Sequence, residues 1–322
     1  MKRVLSGIQP SGQLHLGNYA GAIRQFIAMQ DTHEMFIFVA SYHALTSVQN
    51  PAQLRSNIRQ IVIDYLAFGL DPAKCHIYLQ QDVPQVTELA WLLSCVCPKS
   101  MMDKATSFKD KTAKGLSASM GLFTYPVLQA ADILAVDADF VPVGEDQRQH
   151  LEITRDLAER FNHAYGPVFK LPDIVVRKEA GVLPGVDGQK MSKSYGNTID
   201  PFLPEKVLRK LVMSIKTDSQ PVEAVKDPQT CTVFQIYRGL AGESDPRTNE
   251  LAMKYTAGGM GYGIAKQALF ELIMDHFGPA RARRDKLQTD PGMVDQVLRH
   301  GAAGANQIIN NVTTRARLAC GL

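Results

Sequence analysis

At 322 residues the chain is long for one hydrophobic core, so a large domain with an appendage, or two domains, is expected. With 45% hydrophobic and 21% charged residues it is globular, not disordered. A net charge of +3 gives no basic field over the whole surface, and a large RNA would have to be met by a local patch.

In chain order, Arg3 to Ile8 (RVLSGI) reads as a buried strand, followed by a Gly-rich turn and a helical segment from about Asn18 to Met29. Met35 to Ala40 (MFIFVA) is a second strand. Pro51 opens a helix whose apolar residues Leu54, Ile58, Ile61, Val62, Tyr65 and Leu66 recur at helical spacing, closed by Gly69. His76 to Leu79 is a third strand and Glu88 to Val96 a helix; Pro126 to Leu134 is helical, Phe140 to Val143 a strand, and Gln147 to Phe161 a long helix. This rhythm of strand and helix predicts a Rossmann-like, doubly wound α/β domain with a parallel sheet. Ligands in such sheets sit at the carboxyl ends of the strands, so SGIQPSG after the first strand and GEDQ after Phe140 are expected to face one crevice.

After Asp200 the strands fade: Lys206 to Ile215, Ala265 to His276, Met293 to Arg299 and Asn306 to Leu318 all read as helix. We therefore expect an α/β domain over 1–195 and an α-helical domain over 196–322, whose last helix is available to pack back on the first. The five cysteines, Cys75, Cys95, Cys97, Cys231 and Cys320, form no CxxC pair, and LLSCVC suits buried thiols. MKRVLSGIQP is a strand, not a targeting signal, and no apolar run is long enough to span a membrane; a reduced cytoplasmic protein is expected.

Two stretches carry chemistry. In SGIQPSGQLHLGN (Ser6 to Asn18), Gly7, Gly12 and Gly17 permit close backbone approach, and a helix beginning near Gly17 would aim its free N–H groups at an anion. His15 and Asn18 are either phosphate donors or local caps of that helix, and the turn alone does not decide between them. KMSKS (Lys190 to Ser194) puts two mobile positive charges between glycines, as the departure of pyrophosphate requires. The alternative is a solvated basic loop. A specified pentapeptide arises by chance in a chain of this length on the order of once in ten thousand sequences.

HLGN after the first strand and KMSKS at an α/β-to-helical junction resemble the two-part ATP site of class I aminoacyl-tRNA synthetases. SGIQPSGQLHLGNYAGAI, TYPVLQAADIL, VPVGEDQRQHLEITRDLAERFN and GGMGYGIAK narrow the resemblance to the bacterial tryptophanyl-tRNA synthetase family, over the whole chain and most densely over 4–23, 121–162 and 187–194. That resemblance implies activation of L-tryptophan by ATP to an adenylate, then transfer to tRNA(Trp), with no covalent enzyme intermediate. It also implies a homodimer, anticodon recognition by the helical domain, and Mg²⁺ carried on the ATP phosphates.

Residue by residue, the resemblance places Gln9, Pro10, Ser11, Gly17 and Asn18 at ATP, with His15 and Asn18 near the phosphates. Lys190, Met191, Ser192, Lys193 and Ser194 would form the closing loop, whose two lysines, helped by Lys111, hold pyrophosphate. Val182, Leu183 and Met191 would border adenine, and Gly144, Glu145 and Asp146 the adenosine. For tryptophan it implies Asp132 as acceptor for the indole N–H, His43 against the ring, and Leu5, Gly7 and Val143 as walls. Gln9, Tyr125, Gln129 and Gln147 would hold the ammonium and carboxylate. Read without the family, Asp132 in AADILAV is a helix-surface aspartate or a carboxylate with a buried partner, and His43 a core histidine.

Three departures stand out: Gln129 where methionine is common, a glycine-rich lead-in EAGVLPGVDGQ, and SYGN in place of Ser-Asp-Pro-Asn. Gln129 keeps a tyrosyl specificity open as the alternative, since tyrosyl enzymes carry a glutamine near here. A silent RNA- or nucleotide-binding paralogue, or another nucleotidyltransferase, are the remaining readings. No metal ligands are expected; relatives with an iron–sulfur cluster use more cysteines than Cys231 and Cys320. The run Arg281, Arg283, Arg284, Lys286 is either a solvated face or a tRNA contact. Trp91, on an apolar helix, is core or dimer interface.

Overall fold

The computed structural model describes residues 1–105, 108, 113, 115, 117–176 and 182–322. Five strands, β1 (Arg3–Ile8), β2 (Glu34–Val39), β3 (Cys75–Leu79), β4 (Phe140–Val143) and β5 (Asp173–Val176), form one sheet in the order β3-β2-β1-β4-β5. Every pairing is parallel, with Val4 opposite both Met35 and Phe140. From β1 the chain winds outward through β2 and β3, then returns to the other side of β1 for β4. The switch point therefore lies between β1 and β4, where the carboxyl ends open a crevice for a ligand. β5, an edge strand with Asp173 and Val175 exposed, has no counterpart among the elements expected from the sequence.

Side chains alternate across the sheet. Val4, Ile37 and Ile77 point into one apolar cluster, Leu5, Phe36 and Tyr78 into the other. β2 is buried from Met35 to Val39, as its unbroken apolar run predicts for a strand covered on both faces. The first cluster takes in α4 (Pro51–Phe68), capped by Asn50 and closed by Gly69 in the left-handed conformation. It continues into α9 (Glu205–Met213), α10 (Thr232–Ala241), α11 (Pro246–Ala257) and α12 (Tyr262–Thr289). The second cluster is covered by α5 (Gln85–Val96), α7 (Met120–Ala135) and α8 (Arg148–Tyr165), each of which follows β3 or β4.

Shorter helices lie between these elements. The expected first helix starts earlier, at Leu16, as α1 (Leu16–Asn18), a π-helical turn over Tyr19–Ile23, and α2 (Arg24–Met29). α3 (Ser41–Ala44) follows β2, and α6 (Lys99–Lys104) follows α5. α7 begins six residues before Pro126, because Ser119 accepts from the Leu122 N–H and sets the start. α12 runs through Pro279 to Thr289, held by buried Phe277, Ala280 and Leu287.

The two segments expected near the carboxyl terminus are one helix, α13 (Pro291–Ala319). Gly301 and Gly304, which read as a break, are contact residues: a Cβ on Gly301 would lie 2.0 Å from the Ile77 carbonyl oxygen. Their missing side chains let α13 lie along β3 and cover that edge of the sheet.

The basic run meets neither expectation as stated. Arg281 donates to the Pro201 and Leu203 carbonyls, Arg283 to Ala67 at 2.9 Å, and Arg284 to the buried Asp64 at 2.9 Å. Arg283 and Arg284 thus tie α12 to α4, Arg281 ties it to the segment before α9, and Lys286 remains on the solvated face. The expected burial of LLSCVC is also corrected: Cys95 is exposed and Cys97 half-buried. α5 buries Leu89, Leu92 and Leu93, which turns Trp91 and Cys95 outward, and Trp91 at 69% exposure is no core residue of this chain. No helix among the described residues is long and apolar enough to cross a membrane.

Candidate active site

At the switch point the turn after β1 meets the KMSKS segment, 181 residues away in sequence. Lys193 Nζ donates to the Gly12 carbonyl at 2.8 Å, and Gly12 holds φ +133°, a conformation that L side chains rarely adopt. His15 is buried, and its Nδ1 has no hydrogen-bond partner among the described residues. Burial and the nearby Lys193 charge lower the His15 pKa to about 4, so the ring is neutral near neutral pH. Burial likewise lowers Lys193 to about 8. An orphaned imidazole nitrogen beside a desolvated ammonium is an arrangement an anionic phosphate would relieve.

The helix start is not the open anion site expected from the glycines. The Leu16 N–H donates to the Ile199 carbonyl at 2.9 Å, and the Gly17 N–H to Met191 Sδ at 3.3 Å. Asn18 Oδ1 accepts from the His15 N–H, so in this structure Asn18 serves as a local cap. The first-turn amides are closed by the KMSKS side of the cleft, so the charge on offer there comes from side chains.

KMSKS itself is well supported. Pro184 pairs antiparallel with Lys190, and Met191 N–H donates to the Leu183 carbonyl at 2.9 Å. Ser192 and Ser194 hydroxyls lie 2.8 Å apart, while Lys190 is exposed. Asn197, at 2% exposure, is the keystone that sequence reasoning missed. Its Oδ1 accepts from the Ser192 N–H at 2.8 Å, and its Nδ2 donates to Asp187 and to the Lys190 carbonyl. Gly185 has no room for a Cβ beside it, which accounts for one glycine of the unexpected lead-in. Asn197→Ala is expected to destabilise the fold by about 1–3 kcal/mol, the scale of one or two buried hydrogen bonds, read by thermal denaturation.

At the carboxyl end of β4, Asp146 is exposed and accepts from Gln147 Nε2 at 3.0 Å; a Cβ on Gly144 would sit 2.6 Å from its Oδ1. Glu145 is engaged by Arg148 at 2.6 Å, so of these two acids Asp146 has the freer acceptor. Val182 is exposed, and Leu183 is buried against Gly239 of α10. Lys111 lies outside the described residues.

The third part is a buried polar cluster. Asp132, in α7, is 4% exposed, and its Oδ2 accepts from His43 Nε2 at 2.9 Å. Gln80 Nε2 donates to both Asp132 oxygens, at 2.9 and 2.8 Å. Asp132 is thus no helix-surface aspartate. His43 is bound to it, with its ring edge-on to Tyr125 at 6.2 Å between centroids.

The Tyr125 hydroxyl lies 2.7 Å from His150 Nε2, and His150 Nδ1 lies 3.0 Å from Gln147 Oε1. A neutral ring donates from Nδ1 to that carboxamide oxygen and accepts the tyrosine hydroxyl at Nε2. The chain of hydrogen bonds runs on from Gln147 to Asp146, linking Tyr125 to the carboxyl end of β4. Gln9 Nε2 is held by the His43 carbonyl and Ser47, both at 3.1 Å. Pro10 is buried and its carbonyl accepts from Asn57, while Ser11 is exposed.

A cavity of about 260 Å³ opens beside His43 and Tyr125, toward Thr46, Thr124 and Leu128. Of the residues expected around tryptophan it is lined by His43 and Tyr125 alone, and not by Asp132, Leu5, Gly7, Gln9, Gln129, Val143 or Gln147. Leu5 is buried in the second cluster, Gly7 abuts Phe38 where a Cβ would clash at 2.6 Å, and Gln129 and Val143 are half-buried. Gln80 and His150 escaped sequence reasoning, although both carried a signal. Gln80 directly follows the carboxyl end of β3, and His150 sits one helical turn after Gln147.

A family model described as tRNA synthetases class I (W and Y) matches residues 1–278. The chain belongs to that family of class I tRNA synthetases. Within the family it is 50% identical over 320 residues to a tryptophan–tRNA ligase of Rhodopirellula baltica, covering 99% of each chain. It is 49% identical to that of Fusobacterium nucleatum, covering 100% of this chain and 98% of the relative. The tryptophanyl-tRNA synthetase of Campylobacter jejuni, solved in complex with ADP and tryptophan, superposes with a TM-score of 0.93 at 46% identity, over 99% of this chain and 100% of that one. The resemblance drawn from HLGN, KMSKS and GEDQ to the bacterial tryptophanyl members is borne out along the chain.

One electrostatic consequence belongs to the fold of this family member. Folded His15 takes up a proton only near pH 4, whereas the unfolded chain does so near 6.5. The unfolded state therefore binds more protons between these values, and stability falls as pH drops through that window. Replacing His15 by glutamine removes this contribution. The melting-temperature difference between wild type and His15→Gln should then move in favour of the variant from pH 6.5 toward 4.5, read by thermal denaturation.

Proposed function

We propose that the protein is a tryptophan–tRNA ligase. The observation that carries this reading is that one carboxyl edge of the sheet bears both a phosphate end, built from His15 and Lys193 after β1, and a buried acceptor, Asp132, held by residues that follow β2 and β3. The names of the relatives and the bound ligands of the Campylobacter structure support it.

In this reading the indole N–H donates to Asp132, and Tyr125, Gln147 and Gln9 orient the ammonium and carboxylate. One carboxylate oxygen attacks the α-phosphorus of ATP. The new O–P bond forms as the bond to the β-phosphate bridge breaks, and the charge that develops on pyrophosphate is met by Lys193, Lys190 and Lys111. His15, neutral, contributes a hydrogen bond and no charge. Asp146 accepts from the ribose hydroxyls, with Gly144, Val182 and Met191 lining the nucleoside. Mg²⁺ would come bound to the ATP phosphates and offset their charge; His15 and Lys193 offer it no oxygen ligand, so the phosphates would hold it. The terminal ribose hydroxyl of tRNA(Trp) then attacks the adenylate carbonyl, and AMP leaves. Catalysis rests on position and charge.

The same reading includes a homodimer, supported by the outward-facing Trp91 of α5 with Leu318 of α13, both about 70% exposed, on helices in mutual contact. It also includes work in the cytoplasm. Amino-acid-dependent ATP–pyrophosphate exchange tests the specificity: exchange with tryptophan is expected, and exchange with tyrosine alone would overturn the assignment. Adenylate formed without charging of tRNA(Trp) would point instead to another nucleotidyltransferase.

A further inference from the structure

We infer that Gln80 is a positioning residue for amino-acid recognition, one that sets Asp132 as an acceptor for the indole N–H. The inference rests on the proposed role of Asp132. Gln80 is 0% exposed and lies just beyond β3. Its Oε1 accepts from the backbone N–H groups of Tyr42 at 2.9 Å and His43 at 3.4 Å, at the start of α3. Its Nε2 donates to Asp132 Oδ1 and Oδ2.

The orientation of this carboxamide follows from chemistry. Main-chain N–H groups only donate and a carboxylate accepts, so exchanging oxygen and nitrogen would place donor against donor and acceptor against acceptor. Gln80 thereby joins the strand β3, the helix α3 and the helix α7 through one planar group. Because His43 Nε2 also lies on Oδ2, that oxygen carries two donors and Oδ1 only one. The remaining acceptor capacity of the carboxylate is thus concentrated on Oδ1, and the carboxylate cannot turn to present Oδ2 without breaking bonds to two elements. A ligand with a single N–H, as indole has, meets one fixed acceptor.

The test compares tryptophan with its isostere in which sulfur replaces the indole N–H, using adenylate formation by Gln80→Glu and Gln80→Met. Glutamate retains an oxygen for the Tyr42 and His43 amides but replaces the donated N–H by a second carboxyl oxygen against Asp132, a pair that repels or shares one proton. Methionine removes both halves. For both variants kcat/KM for tryptophan is expected to fall by about tenfold or more, with the sulfur isostere changing by no more than about twofold and the KM for ATP unmoved.

Equal losses for tryptophan and isostere, or no loss, would overturn the inference, since a merely structural residue affects both alike. So would failure of both variants to fold, judged by thermal melting. Asp132→Asn in the same assay separates the two readings. If it leaves tryptophan use intact, the role of Asp132 itself fails; if it impairs tryptophan while Gln80→Met does not, only the role of Gln80 fails.

Discussion

Lys193→Ala lowers the rate of tryptophanyl-adenylate formation by about 10²–10³-fold, the cost of removing one preorganised charge or donor from a transition state. The KM for tryptophan changes little, because the charge that Lys193 meets appears only as pyrophosphate leaves. Presteady-state ATP–pyrophosphate exchange measures both quantities. The ammonium sits over the Gly12 carbonyl at the mouth of the first turn, already positioned within the fold.

Its pKa near 8 adds a pH signature. The cation is the active form and is lost as pH rises through about 8, so kcat/KM for ATP in the wild type declines on that alkaline limb. Lys193→Arg should retain a charge there and shift the limb to higher pH. A full rate for Lys193→Ala, or an unchanged alkaline limb for Lys193→Arg, would remove Lys193 from the chemistry.

Asp132→Asn is expected to cost about 1.5–3 kcal/mol in kcat/KM for tryptophan, roughly 10- to 150-fold, the range for a hydrogen bond to a charged group. It should leave the KM for ATP unchanged. The same substitution bears on stability. Asp132 accepts from both His43 and Gln80, whereas an asparagine offers a single oxygen and brings an NH₂ of its own. One buried donor loses its partner, and thermal melting should show a destabilisation of about 1–3 kcal/mol. Unchanged catalytic efficiency with a lowered melting temperature would mark the cluster as purely structural.

The two halves of the site differ in how far they could be read in advance. At the phosphate end the residue types suggest the chemistry without deciding it: lysines and a histidine beside glycines suit phosphate, and equally a local cap and a solvated loop. What was misread there is who donates. The glycines suggested exposed amides at the helix start, yet the Ile199 carbonyl and Met191 sulfur occupy them, through contacts nearly two hundred residues distant. At the amino-acid end Asp132 could be flagged as a costly buried carboxylate, but its partners come from β3 and α3. No local pattern pairs Gln80 with a residue 52 positions later. The basic run of α12 shows the same limit. Arginines that read as a surface patch become structural once α4 supplies Asp64 and a carbonyl for them.

What the chain's own order determined was the parallel sheet, the helical second half, and the placement of SGIQPSG and GEDQ at one crevice, because apolar periodicity and strand–helix alternation are local and the handedness of the crossovers is nearly invariant. Only the tertiary structure decided that His15 is neutral, that Lys193 is half-titrated near pH 8, that Asn197 holds the KMSKS hairpin, and that Asp132 presents one oxygen. Each of these depends on burial and on hydrogen bonds between elements far apart in sequence, and desolvation is a property of what surrounds a group, which no residue carries in its own identity.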